Sequence, residues 1–109
     1  MELTANNLAT ELGRFLTLLI LYKKGELTRN QLLVFWMDFF RHWDNKIQLQ
    51  PGYFYPMLSN LEDKGILKSN LEGRKKTYRI SLDQVDAVKN YLDHSKRVFK
   101  NVINFQEND

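Results

Sequence analysis

Between positions 50 and 81 the chain changes its apolar period with no linker in between, and this limits the folds open to it. Phe54, Met57, Leu58 and Leu61 fall at i, i+3, i+4 and i+7, the spacing of a helix with one buried face. Gly65 follows, suited to ending that helix, and Ile66-Leu67 and Thr77-Tyr78-Arg79-Ile80 read as two short strands. Asn70-Leu71-Glu72-Gly73-Arg74-Lys75-Lys76 between them has the composition of a hairpin tip. Ser81 and Gln84 then have capping-box spacing and open a helix that continues to about Phe105 without Pro or Gly.

Upstream, Leu8, Leu12, Phe15, Leu16, Leu19 and Ile20 form a helical stripe over about 6–24, stopped by Gly25. Thr28 and Gln31 have the capping-box spacing for a second helix, to about Trp43. Its face of Leu32, Leu33, Trp36, Phe39, Phe40 and Trp43 is widened by Val34, Phe35 and Met37, so both sides need covering. Asp44-Asn45-Lys46 reads as a turn and Pro51-Gly52 as a boundary. If the third helix starts at Pro51, Pro56 supplies no N–H to the carbonyl of Gly52; if it starts nearer Tyr53, Pro56 lies in the first turn.

The predicted order is helix, helix, helix, two-stranded hairpin, long helix. This is a mainly α chain with a small β-hairpin, in the layout of a winged helix-turn-helix with a long C-terminal helix. Residues 1–81 form the expected DNA-binding domain, and 82–109 a dimerisation helix packed on it.

The 109 residues suit one domain, and 43% hydrophobic content is enough for a core. With no cysteine, disulfides, zinc fingers and thiol chemistry are excluded. His42 and His94 are isolated, and no paired carboxylates, phosphate loop or metal-ligand spacing appears, so neither an enzyme nor a cofactor or metal is expected. The N-terminus has no basic n-region, and no apolar run approaches the roughly 20 residues that span a bilayer, so a soluble cytoplasmic protein without a membrane partner is expected. The net charge of +3 is unevenly spread: six basic side chains stand against one acidic over 64–81, a local +5 that leaves −2 elsewhere. Such a patch suits a polyanion.

Pro51-Gly52-Tyr53-Phe54-Tyr55-Pro56-Met57-Leu58-Ser59-Asn60-Leu61-Glu62-Asp63-Lys64-Gly65-Ile66-Leu67 resembles the recognition-helix signature of the PadR family of bacterial and archaeal regulators. The resemblance lies in the Pro-Gly start, the Tyr-Pro pair, the Leu-x-x-Leu-Glu spacing and the Gly before two apolar residues. Gly73-Arg74-Lys75-Lys76-Thr77-Tyr78-Arg79-Ile80-Ser81 resembles that family's basic wing, so about 30 residues carry the likeness, with Leu18 to Tyr22 adding a weak match to its first helix. The chain departs from the family pattern at Tyr53, where a small residue is usual, and at Ser59 and Asn60, where bases are usual. The resemblance implies a winged-helix regulator, expected to act as a repressor on double-stranded DNA.

The residues themselves support contact with DNA. Gln50, Gly52 and Tyr53 lie at the N-terminal end of the third helix, where unpaired N–H groups and the dipole favour a phosphate. Ser59 and Asn60 are expected to face outward, Asn and Gln being able to pair bidentately with adenine. Tyr55 is expected partly buried with its hydroxyl within reach of a phosphate, and Lys64, Arg74, Lys75 and Lys76 as charge contacts. Glu62 is expected to support the fold through a charge pair.

Val85, Val88, Leu92, Ser95, Phe99 and Val102 alternate by three and four, the pattern of a coiled-coil seam. Val85, Val88, Leu92, Phe99 and Val102 are therefore expected to face a second copy in a homodimer; the alternative is that the helix folds back on its own domain. The cluster Trp36, Phe39, Phe40 and Trp43 reads first as core and dimer interface, and second as the lining of a pocket for a small planar aromatic effector, as the family resemblance permits. Two other functions fit the same residues. The layout, the Gly65-Ile66-Leu67-Lys68 turn and the long last helix also resemble the replication terminator protein of bacilli, an architectural or terminating role. The nearly neutral third helix fits a winged-helix protein-interaction module without DNA affinity.

Overall fold

A computed structural model of the chain describes the backbone of residues 5–41 and 51–107 and the side chains of 11–39, 54–98, 100 and 101. It is mainly helical, with four α-helices and a small antiparallel sheet. In chain order these are α1 (Ala5–Lys24), β1 (Glu26–Thr28), α2 (Arg29–Arg41), α3 (Pro51–Asp63), β2 (Leu67–Glu72), β3 (Lys75–Ile80) and α4 (Val85–Glu107).

The sheet has three strands where two were expected, in the order β1-β3-β2. Glu26–Thr28 pairs antiparallel with β3, so β3 is central and one edge of the hairpin is covered. Three residues are too few to show a period of two, which is why β1 is invisible to patterning. The hairpin is also tighter than expected. Glu72 pairs with Lys75, so the turn is Gly73-Arg74 alone, with positive φ only at Gly73, as a type II′ turn requires.

Helix ends follow local chemistry. At the start of α2 the Thr28 N–H donates to Gln31 Oε1 at 2.9 Å, and the Gln31 N–H donates to Thr28 Oγ1 at 3.1 Å, a complete capping box. After α3, the Gly65 N–H donates to the Glu62 carbonyl at 2.9 Å and the Ile66 N–H to the Leu61 carbonyl at 3.0 Å. With Gly65 at φ 77° this is a Schellman motif, which turns the chain directly into β2. The second expected capping box, at Ser81 and Gln84, does not form. The Ser81 N–H donates to the Ile66 carbonyl at 2.9 Å, which ties Ser81 to the end of the sheet and buries it, and its Oγ makes no cap. A 3₁₀ turn, Leu82–Gln84, replaces it before α4.

One core joins all these elements. The α3 set predicted from spacing, Phe54, Met57, Leu58 and Leu61, is buried throughout. It packs with Leu18 and Leu21 of α1, Leu32 and Trp36 of α2, Leu67, Tyr78 and Ile80 of the sheet, and Val88 and Leu92 of α4. On α1 the helix is where the stripe placed it, but the deepest residues are Leu18 and Leu21; Leu12, Phe15, Leu16, Leu19 and Ile20 are only partly buried. Gly13 explains the offset. A Cβ there would lie 3.0 Å from Cε2 of the Trp36 indole and closer still to its Nε1, so the missing side chain is the socket for that ring.

Two expectations meet this core. Trp36 is 2% exposed and stacks at a tilt on Phe54 at 5.4 Å, so it belongs to the core, the first of the two readings of its cluster. Phe39 is exposed, whereas the side chain of Phe40 and all of Trp43 lie outside the described residues. Val88 and Leu92, at 4% and 2% exposed, pack inside their own chain with Val85 against them, so this part of the α4 seam does not face a partner. Phe99 and Val102 lie in α4, but their side chains are outside the described residues. Among the described residues no helix is long and apolar enough to cross a membrane.

Candidate nucleic-acid interface

Because α3 sinks Phe54, Met57, Leu58 and Leu61, the helical period turns Tyr55, Pro56, Ser59, Asn60 and Asp63 to the surface, where all five are exposed. Ser59 and Asn60 therefore stand as neutral hydrogen-bonding groups on a helix seated over a buried base. Gly52 and Tyr53 belong to the first turn of α3, with side-chain positions outside the described residues, as is all of Gln50. α3 starts at Pro51, so Pro56 lies inside it and offers no N–H to the Gly52 carbonyl.

The hairpin is fastened to α3 through Glu62. One of its carboxylate oxygens accepts a short hydrogen bond from the Ser69 hydroxyl, and the other lies 3.6 Å from Lys76 Nζ. The expected charge pair of Glu62 is thus present, and its partner is a residue also expected to contact DNA. Lys76 Nζ also sits 5.3 Å above the Tyr78 ring. A hydrogen bond with Tyr78 raises the Lys76 pKa above its ordinary value, with Glu62 adding to the effect and burial opposing it. Lys76 thus serves the joint between helix and hairpin.

Strand alternation separates the basic residues further. Tyr78 and Ile80 point into the core and Lys76 shares their face, so Lys75, Thr77 and Arg79 point to the other side of the sheet. On that outer face the register sets Lys68 beside Arg79, Arg79 beside Glu26, and Glu72 beside Lys75. Adjacent Lys75 and Lys76 therefore do not act on one surface. Arg74, at the turn, and Lys64, after the last turn of α3, are exposed.

Arg29 is a residue the sequence reading missed. Its guanidinium lies 5.4 Å from the Tyr55 ring centre, which sets a cation against the exposed side of α3. A signal was present: a base in the first turn of a helix opposes the helix dipole. Tyr55 is exposed and meets Phe54 edge-on at 5.5 Å, so its ring links the core to the guanidinium.

Among the described residues no group of His, Asp or Glu has the arrangement of a metal site. Comparison with models of known protein families finds none that matches the chain, and comparison with curated proteins finds no match.

Proposed function

We propose that this chain is a winged helix-turn-helix protein that binds double-stranded DNA as a homodimer and regulates transcription by occupying a promoter, without catalysis. The observation that carries the reading is the exposed edge of α3: Tyr55, Ser59 and Asn60 project as uncharged hydrogen-bonding groups from a fully buried base. Exposed cations stand beside this edge at Arg29 and at Lys64, and a further one is carried at the hairpin tip, Arg74. In the proposed complex α3 enters the major groove and reads base edges, while the cations hold the phosphate backbone. The PadR-like spacing over 51–67 and 73–81 agrees with this assignment.

The dimer rests on the distal part of α4. Val98 is exposed, and α4 continues to Glu107 beyond the residues buried in the core. A paired α4 sets the distance between two half-sites. The experiment is a gel-shift series with genomic fragments selected for binding: a promoter fragment retained over generic duplex supports a regulator, and terminus sites would indicate a terminating role instead.

A protein-interaction module is the second reading. It is favoured by α2, where Val34 is 66% exposed and Phe35 and Met37 are also exposed. Absence of any salt-sensitive binding to duplex DNA would select it.

A further inference from the structure

A cleft of about 230 Å³ opens where α1, the turn after α3 and the start of α4 meet. It shares only Lys64 with the proposed DNA surface. Its walls are branched aliphatic side chains, Leu18, Leu61, Ile66 and Val88, and its polar lining includes two cations, Arg14 and Lys64, with no carboxylate among the described residues. The Schellman turn explains the shape: it sets Ile66 back against Leu61, so both side chains form one wall.

Glu11 Oε1 takes Nη1 of Arg14 at 3.1 Å, and Nε of Arg14 is buried with no hydrogen-bond partner among the described residues. An atom closed to solvent is closed to the cleft as well, so what the cleft presents is the cationic charge of Arg14 and Lys64. A ligand that suits two cations is an anion, and an anion that suits aliphatic walls carries a hydrocarbon chain. An apolar cavity of about 150 Å³ accepts benzene, and on that scale this cleft holds a chain of about eight carbons.

We propose that the cleft binds a medium-chain aliphatic carboxylate. The chain lies along Leu18, Leu61, Ile66 and Val88, and the carboxylate accepts hydrogen bonds from Arg14 and Lys64. Branched aliphatic walls favour methylenes over an aromatic ring, since Tyr91 is the one ring among the described lining residues. The assignment does not depend on the DNA-binding reading.

Calorimetric titration of the full chain with octanoate, octanol and octylamine tests it. Octanoate should bind once per chain with Kd below about 1 mM, and octanol and octylamine at least about tenfold more weakly. Arg14→Gln should weaken octanoate by about tenfold and leave octanol unchanged. Lys64→Gln is the parallel variant, should Arg14→Gln lower the melting temperature. Ala87→Phe, at an exposed position on the cleft's rim, should abolish binding of octanoate while the chain stays folded by circular dichroism. The proposal is overturned if octanoate gives no saturable heat, if octanol binds as well, or if Ala87→Phe leaves binding intact. Octanoate affinity that rises as the protein is diluted would also overturn it, since a second copy would then be the occupant.

Discussion

α3 and the hairpin lie side by side, yet they present opposite chemistry. The outer edge of α3 is nearly uncharged, with Tyr55, Ser59 and Asn60 exposed, whereas the hairpin over 67–80 carries five basic side chains against one acidic. Within the hairpin the two faces differ again: Lys76 gives its charge to Glu62 at the joint with α3, and Lys75 points the other way. On the proposed reading, base contacts and charge attraction therefore sit on different elements, coupled through one carboxylate. Only part of a basic hairpin is free to meet phosphate, because some of its charge holds the hairpin in place.

The division requires α3 to be rigid from beneath, and the largest expected effect tests this. Phe54→Ala removes a fully buried ring from under the helix and should destabilise the chain by about 3–5 kcal/mol in urea unfolding. A loss below about 1 kcal/mol would mean that α3 is not seated as described. Gly13→Ala comes next. Alanine is better in a helix by about 1 kcal/mol, but here its methyl meets the Trp36 ring, and the net should be a loss of about 1–3 kcal/mol. A stabilised variant would contradict that packing.

The two elements should then separate in DNA binding. Asn60→Ala should cost about 1–3 kcal/mol of discrimination at one base pair and leave the salt dependence unaltered. Arg74→Ala should weaken binding to all duplexes alike and flatten the slope of log K against log salt by about 0.9 for each phosphate it no longer neutralises. Lys76→Ala should flatten it less, because that charge is already paired within the chain. Equal slopes for the Arg74 and Lys76 variants would erase the distinction between tip and joint.

The smallest effect is on stability at high pH. Lys76 is raised above its ordinary value of 10.5 by Tyr78 and Glu62, and Tyr91 above 10.0 by burial and then by Glu11. Both groups hold their protons more tightly in the folded chain, so their contribution is complete below about pH 10 and is lost as pH rises through the raised values. Melting temperatures should fall over that interval, and Tyr91→Phe should make the fall shallower. An unchanged profile in that variant would argue against its burial.

The parts legible in the sequence are those governed by a strong local rule. Phe54, Met57, Leu58 and Leu61 are spaced for one face and are buried; Gly65 ends α3; Thr28 and Gln31 cap α2 reciprocally. What escaped depends on partners distant in the chain. β1 exists because β3 offers an unpaired edge, and three residues carry no period. Ser81 has cap spacing, but its N–H is already taken by Ile66 across the sheet. The coiled-coil pattern of α4 cannot distinguish a partner helix from α1, and Val88 and Leu92 turn inward. Lys75 and Lys76 look alike in a basic run until strand register assigns them to opposite faces, and Arg29 meets Tyr55 only through the packing of α2 on α3.

The central claim is a neutral reading helix held on DNA by charge from its neighbours. Its most direct test is equilibrium binding of the chain to a selected genomic duplex and to a generic duplex, titrated from about 50 to 200 mM salt. The account predicts saturable binding to both, steeply salt-dependent with a slope of about −3 or beyond, and a preference for the selected duplex that Asn60→Ala removes. Binding that is absent at the lowest salt, or unaffected by salt throughout, would contradict it.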